Sequence, residues 1–361
     1  MPTKHKSPGK SGGRVSRNLI SDRLRERILS GEWPPGMQVP TRPELEREFG
    51  ASPATVQHAF DLLRREEFVR VNGRQGTYVA RFPPYRFHYG MVFRNRLGDG
   101  EVNRFYQALF EVAARYRGNE QEPRHVSVYT GVEDHVDNRE MRQLLTLVRH
   151  HGLAGLIFPE NPFSTRLAYS ALGKVAGLPR VMVGGAPRDG LAAVRPLSFY
   201  DKAIDYLAQR GRRRVAVLTN AIDASQIDAL RRAIESRGMA TRPYWTQRVD
   251  LVAAVAARGV AHLLLHRGQE ERPDALFITD DNLVEHACAG IVDAGVRVPE
   301  ELEVVTHCNF PWRVPPVLPV RRLGYDAAAM LAACLDLIDD QRRGAPPGVR
   351  TIEPVFEEDL G

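Results

Sequence analysis

Apolar residues recur along this chain with two different periods, and the change from one to the other divides it. In the first stretch Leu19-Ile20, Leu24 and Ile28 return every three or four residues, which predicts a helix stopped at Gly31. Thr41 and Glu44 make a T-x-x-E capping box that opens a short second helix with Leu45 and Phe49 on its buried side. Gly50 can take the left-handed conformation that ends it. Ser52 then caps a third helix, and Pro53 at its first position loses no bond, because that N–H would be unpaired anyway. Val56, Ala59, Phe60 and Leu63 fall at i, i+3, i+4, i+7, one apolar face. Phe68-Val69-Arg70-Val71, the Asn72-Gly73 turn signal and Gly76-Thr77-Tyr78-Val79 follow, a hairpin with Arg74 and Gln75 near its tip.

Arg81-Phe82-Pro83-Pro84-Tyr85-Arg86 interrupts the pattern. Its two prolines predict a short, stiff, extended linker over 81–87. From His88 the texture becomes short apolar runs alternating with helical patterns. Strands are expected at Tyr89–Phe93, His125–Tyr129, Leu153–Phe158 and Arg180–Val183, with helices near Asn103–Arg117, Asn138–His150 and Thr165–Ala176. A second series has strands at Arg214–Thr219, Tyr244–Gln247, Ala275–Thr279 and Glu303–His307. Its helices are expected at Phe199–Arg210, Gln226–Arg237, Leu251–Arg258, Val260–Arg267 and Leu283–Ala294. A last helix, Tyr325–Asp339, precedes an extended segment, Thr351–Phe356. Such alternation means parallel sheets flanked by helices. Two series mean two lobes, with a cleft at the carboxyl ends of the strands.

Helix, tight turn, helix and hairpin together are a winged helix-turn-helix, which serves to place one helix N-terminus in a major groove. The face of the third helix opposite its apolar stripe carries Ala54, Gln57, His58 and Asp61, small or hydrogen-bonding groups suited to base edges. The candidate DNA contacts are Arg42, Ser52, Ala54, Thr55, Gln57 and His58, with Arg74, Gln75 and Gly76 in the wing. Ser52 and Thr55 are expected on phosphate, Gln57 and His58 on bases, and the wing on the neighbouring minor groove or backbone.

Charge adds little to this. Residues 1–17 hold Lys4, Lys6, Lys10, Arg14 and Arg17 and no acid, five of the formal +6 of the 361-residue chain. That polar leader (1–16) is expected to be disordered, either touching phosphates or simply solvated. No run of 18 apolar residues predicts a membrane span, and the basic N-terminus lacks the apolar core of a secretory signal. Cys288, Cys308 and Cys334, odd in number and without C-x-x-C spacing, read as reduced thiols. Gly184-Gly185 lacks the rest of a phosphate loop, and His150-His151 lacks a third ligand at metal spacing. No nucleophile elbow or paired carboxylates point to catalysis. No cofactor, metal or catalytic residue is expected.

Two resemblances sharpen the reading. Ile28-Leu29-Ser30-Gly31-Glu32-Trp33-Pro34-Pro35-Gly36 with Pro40, Glu44-Leu45, Thr55-Val56 and Gly76-Thr77-Tyr78-Val79 resembles the GntR family of bacterial transcription regulators over about residues 17 to 80. Members commonly carry arginines where this chain has Pro43, Pro53 and Gln57, with Arg42 one residue from the first. Tyr206–Ala216, Asp274–Asp281 and Glu285–Ile291 followed by Ala294–Val305 resemble the sensor domain of LacI-family repressors, itself similar to periplasmic sugar-binding proteins, over about 88 to 361. This second resemblance implies an effector between the lobes touched by Arg94, Asn95, Tyr129, Glu160, Asn161, Gln226, Asp280, Cys308 and Asn309. The family's arginine and aspartate at Gln226 and Cys308 are replaced here, and an aspartate usual near Val194–Pro196 is absent.

The expectation is therefore a small α+β winged helix-turn-helix domain (17–80), a linker (81–87) and an α/β two-lobed periplasmic-binding-protein-like (type I) domain with parallel sheets (88–361). The function expected is that of a cytoplasmic, nucleoid-associated bacterial repressor and homodimer. It would bind double-stranded operator DNA under control of a small sugar-like effector. Two alternatives stand beside it: a ligand-binding sensor whose head no longer reads DNA, and an enzyme using the α/β cleft.

Overall fold

The computed structural model describes residues 16–94, 96, 103–119, 123–133, 138–159, 168, 170–184, 191–220, 224–311 and 316–360. Two compact units emerge. One comprises the described residues of 16–88 with those of the segments 118–125 and 147–154, and the other holds the remaining described residues.

In the first unit the expected elements form α1 (Arg17–Ser30), α2 (Arg42–Phe49), α3 (Pro53–Arg65), β1 (Val69–Val71) and β2 (Thr77–Val79). Gly31 and Gly50 end α1 and α2 in the left-handed region, at φ 84° and 58°. Glu44 accepts the Thr41 N–H at 2.7 Å and its hydroxyl at 2.8 Å, and these bonds hold the Glu44 carboxyl below the usual carboxylate range. Ile20, Leu24, Ile28, Leu45, Val56, Ala59, Leu63 and Phe68 meet in one core, joined by Trp33 from the irregular turn. Burying each such side chain is worth about 1.5–3 kcal/mol.

Val69, Arg70 and Val71 pair with Val79, Tyr78 and Thr77, so the hairpin closes on a five-residue loop that holds Asn72, Gly73, Arg74 and Gln75. Gln38 bridges to Tyr78, which gives the wing a third, edge segment. The linker reading is corrected: it is not simply extended. Pro84 starts a helical turn, α4 (Pro84–Phe87), where its missing N–H costs nothing. Tyr85 stacks on Phe68 with centroids 5.8 Å apart, so this stretch is packed on the head.

The second unit carries two six-stranded sheets. The first has the order β13-β7-β6-β5-β3-β4: β3 (His88–Val92), β4 (His125–Tyr129), β5 (Gly155–Pro159), β6 (Arg180–Val183), β7 (Ala192–Pro196) and β13 (Val349–Ile352). The second has the order β14-β12-β11-β10-β8-β9: β8 (Val215–Thr219), β9 (Thr246–Arg248), β10 (Ala275–Ile278), β11 (Glu303–Phe310), β12 (Arg321–Asp326) and β14 (Val355–Phe356). The registered pairs are parallel except β12 with β14. Helices α5 (Arg104–Arg115), α6 (Arg139–Arg149), α7 (Tyr200–Gln209), α8 (Ala224–Glu235), α9 (Ala256–Leu265), α10 (Val284–Asp293) and α11 (Ala327–Arg342) connect them.

Strands β7 and β12 were not among those expected. Each leads into a change of lobe, and their sequences, AAVRP and RRLGYD, carry no long apolar run. The chain passes from β7 in the first sheet through α7 to β8 in the second. It returns from β12 through α11, whose Ile338 lies against Gly155 at the start of β5, and β13 and β14 then split between the sheets. The expected helix over 165–176 is, in its described part, only a 3-10 turn at Ala171–Lys174, while 160–167 and 169 lie outside the described residues. Gly324 pairs with Cys308 so closely that a Cβ there would lie 1.8 Å from the Cys308 carbonyl oxygen. Only glycine fits.

Candidate nucleic-acid interface and ligand cleft

The DNA-facing candidates are laid out by how α2 and α3 begin. Ser52 Oγ accepts the Thr55 N–H at 3.3 Å and lies 2.8 Å from the Thr55 hydroxyl, which caps α3 and leaves its first turn facing outward. Arg42, Ser52, Ala54 and His58 are exposed, as are Arg74 and Gln75 in the wing; Thr55, Gln57 and Gly76 are half-buried. Gln57 is not idle. Its Nε2 donates to Asp61 Oδ1 at 3.0 Å, so base reading by that amide must displace an internal bond. Gln38 Nε2 donates to the Gln75 carbonyl at 3.0 Å and packs on Gly76, fixing the wing tip. Arg47, Arg64, Arg65 and Arg70 are further exposed cations of the head. Nothing in their spacing had set them apart from ordinary solvated arginines.

In the second unit the strand orders place the cleft. The chain reverses its winding between β8 and β10 in one sheet, and between β3 and β5 in the other. Ligands of open α/β sheets bind at such switch points, beyond the carboxyl ends of the strands. Thr219 ends β8 and Asn220 follows it, and Thr279, Asp280 and Asp281 follow β10. The two threonine hydroxyls are hydrogen-bonded at 2.8 Å, and Asn220 Nδ2 donates to Asp280 Oδ2 at 2.6 Å. Asp280 Oδ1 also accepts the Asn282 backbone and side-chain N–H groups, at 2.9 and 2.7 Å. Burial, then the charge of Asp281, push the Asp280 carboxyl above its usual range. Asp281, 3 % exposed, accepts both the backbone N–H and the side-chain amide of Asn309, at 3.0 and 2.9 Å. That pair locks the ends of β10 and β11 together.

This network reaches the other lobe. Asn282 Oδ1 accepts the Arg104 backbone N–H at 3.2 Å, and the Arg104 guanidinium pairs with Glu285 at 2.7 Å. Behind Asp280, Phe199 lies 4.7 Å from His307 and 4.9 Å from Tyr200, centroid to centroid, an aromatic wall. Burial raises the Tyr200 hydroxyl above its ordinary range.

The remaining cleft candidates fall variously. Arg94 is exposed just past β3, and Tyr129 is half-buried at the end of β4, its hydroxyl raised by burial. Gln226 is exposed on the first turn of α8. Cys308 is buried, its thiol pushed up to about 12 by desolvation, and Asn309 is turned toward Asp281. Asn95, Glu160 and Asn161 lie outside the described residues. Asn220 and Tyr200 were not singled out in the sequence; Asn220 was findable as the first residue past an apolar strand, Tyr200 only through its contacts. Among the described residues no group of three or more His, Cys, Asp or Glu is arranged to hold a metal, and no helix is long and apolar enough to cross a membrane.

Comparison with known proteins agrees with this geometry. Residues 17–79 match the model of bacterial regulatory proteins of the gntR family, and 204–356 match the periplasmic binding protein-like domain. The arabinose metabolism transcriptional repressor of Geobacillus stearothermophilus is 23 % identical over 339 residues, 86 % of this chain and 88 % of that one. The transcriptional repressor PurR of Aliivibrio fischeri is 28 % identical over 152 residues, 39 % of this chain, so the chain spans about 45 % of that relative's length. A LacI-family regulatory protein from Chloroflexus aggregans superposes with a TM-score of 0.58 at 20 % identity, covering 75 % of this chain and 96 % of that one. Residues 17–79 thus carry a gntR-type helix-turn-helix match and 204–356 a periplasmic-binding-protein-like match, and the fold of the larger part is the one seen in that LacI-family structure.

Proposed function

We propose that this protein is a sequence-specific DNA-binding transcription regulator, a cytoplasmic repressor acting as a homodimer, whose hold on its operator is set by a small sugar-like effector between the two lobes. The observation that carries the reading is the outward first turn of α3, with Arg42, Ser52, Ala54 and His58 exposed beside an arginine-tipped wing. A helix presented in this way reads a major groove, and two heads related by a two-fold axis read a palindrome. The effector reading rests on Asp280. A polyol that bonds its carboxylate competes for Asn282, which also holds Arg104 of the opposite lobe. Such a ligand changes lobe closure only through its differential affinity for the two states. The relatives named above are regulators, and the chain is proposed to be no enzyme.

One observation favours a second reading. Gln57 is held by Asp61, and the arginines usual in gntR heads are replaced, as they would be in a ligand sensor that no longer reads DNA. A mobility-shift titration on the gene's own upstream region separates the two. A salt-sensitive shift at nanomolar to micromolar protein supports regulation, and no shift at low salt overturns it. Thermal-shift screening with arabinose, ribose, glucose and sucrose tests the cleft, since a ligand bound only by the native state raises its melting temperature.

A further inference from the structure

Glu66 caps the C-terminal end of α3 and faces two ways. Its Oε2 is 2.5 Å from the Arg25 guanidinium of α1, and its Oε1 is 3.2 Å from His150 Nδ1, in the segment 147–154 of the same compact unit. The Arg25 side chain is only 5 % exposed and also holds Asp22 at 2.6 Å. On that side the pair is anchored in the head; on the other the imidazole is 46 % exposed. One end is rigid and the other is free to leave.

The backbone marks the same place. Among the described residues two non-glycine residues have positive φ, Glu67 at 58° and His151 at 55°. Each directly follows one partner of the Glu66–His150 pair, at the end of α3 and of α6. Glycine is the usual occupant of such helix-ending positions, because a side chain there is strained. Strain of this kind persists where surrounding contacts over-determine it, and it gathers at switching elements. His151 is itself packed in: burial, then the Arg25 charge and His150, hold its imidazole below the ordinary range. From His151 the chain runs through Ala154, whose N–H donates to the His88 carbonyl at 2.6 Å, straight into β5 beside the switch point of its lobe.

We propose that the Glu66–His150 pair is the contact through which the ligand-binding lobe acts on the DNA-reading helix. When the pair is made, the last turn of α3 is tied to the turn that feeds β5. When β5 shifts with lobe closure the pair breaks, while Arg25 keeps Glu66 within the head. A half-exposed contact of this kind shifts an equilibrium by about two- to fivefold, weak enough to be switched. This inference rests on the proposed regulator function, and its primary test makes no use of DNA.

The test is amide hydrogen exchange on the full chain. His150→Ala is expected to speed exchange by about two- to fivefold at the Glu66, Glu67 and Phe68 amides, which bond to Leu62, Arg64 and Leu63, and at 150–154, with α1 unchanged. His150→Arg, which supplies a donor to the Glu66 carboxylate, restores protection. Combining His150→Ala with Glu66→Gln adds nothing beyond Glu66→Gln alone. Identical exchange in wild type and His150→Ala, or an equal increase along the whole chain, overturns the proposal. In the mobility-shift titration, His150→Ala changes upstream-DNA affinity by a similar factor. Unchanged affinity with altered exchange also overturns the coupling role, whereas a wild-type chain that binds no DNA overturns the regulator reading alone.

Discussion

Removing the Asp281 carboxylate tests whether the cleft floor is built as described. Its Oδ2 alone receives both the backbone N–H and the side-chain amide of Asn309, a residue only 4 % exposed. Asp281→Ala leaves two buried donors without an acceptor, at about 1–3 kcal/mol each, less the relief of no longer burying a charge. The net loss works out at about 3 kcal/mol. Asp281→Asn differs in kind: its carbonyl oxygen can take the place of Oδ2 and keep both donors satisfied. It loses only charge assistance, about 1 kcal/mol. The fully buried Trp245 shares the core of this lobe with Leu276, Leu283 and Val304, so its fluorescence follows the lobe's urea unfolding once Trp33 and Trp312 are replaced by Phe. With a urea m-value of about 2 kcal/mol/M the midpoint should fall by about 1.5 M for Asp281→Ala and about 0.5 M for Asp281→Asn. Equal shifts in the two variants would refute the acceptor argument. A more stable alanine variant would show that burying the charge outweighs its bonds.

Three other outcomes are expected. Gln57→Ala should weaken operator binding about tenfold, within the 1–3 kcal/mol of a bidentate base contact, and leave random DNA unchanged; equal losses on both would exclude base reading. Desolvation, then the neighbouring His125, push His88 down to about 4. Between that value and about 6.5 the unfolded chain binds the extra proton. Stability present above this window is therefore lost on acidification, by at most about 2 kcal/mol at pH 5, and His88→Gln should flatten that slope relative to wild type; an unchanged slope rejects the assignment. Val252 and Val255, three residues apart, are 96 % and 66 % exposed, and the proposed homodimer is expected to cover them. Introducing Glu at both Val252 and Val255 should convert dimers to monomers in sedimentation velocity; dimers that survive the change would place the interface elsewhere.

Periodicity and capping determined most of the head. A T-x-x-E box, a Ser-Pro helix start and two glycine stops are local devices whose partners lie within four residues, so α1, α2 and α3 appear in the structure where the pattern put them. Alternating apolar runs likewise announced two parallel sheets. Tertiary structure alone decided what depends on residues far apart. Strands β7 and β12 are recognisable only through their neighbours, and the split of 349–356 between two sheets follows from where α11 packs. Asn220 reaches Asp280 across 60 positions, and Asn309 is turned to Asp281 across 28. Glu66 meets Arg25 and His150 only because the ends of α3 and α6 come together beside α1. A side chain's exposure can be guessed from its own helix or strand, but its partner is set by how those elements pack.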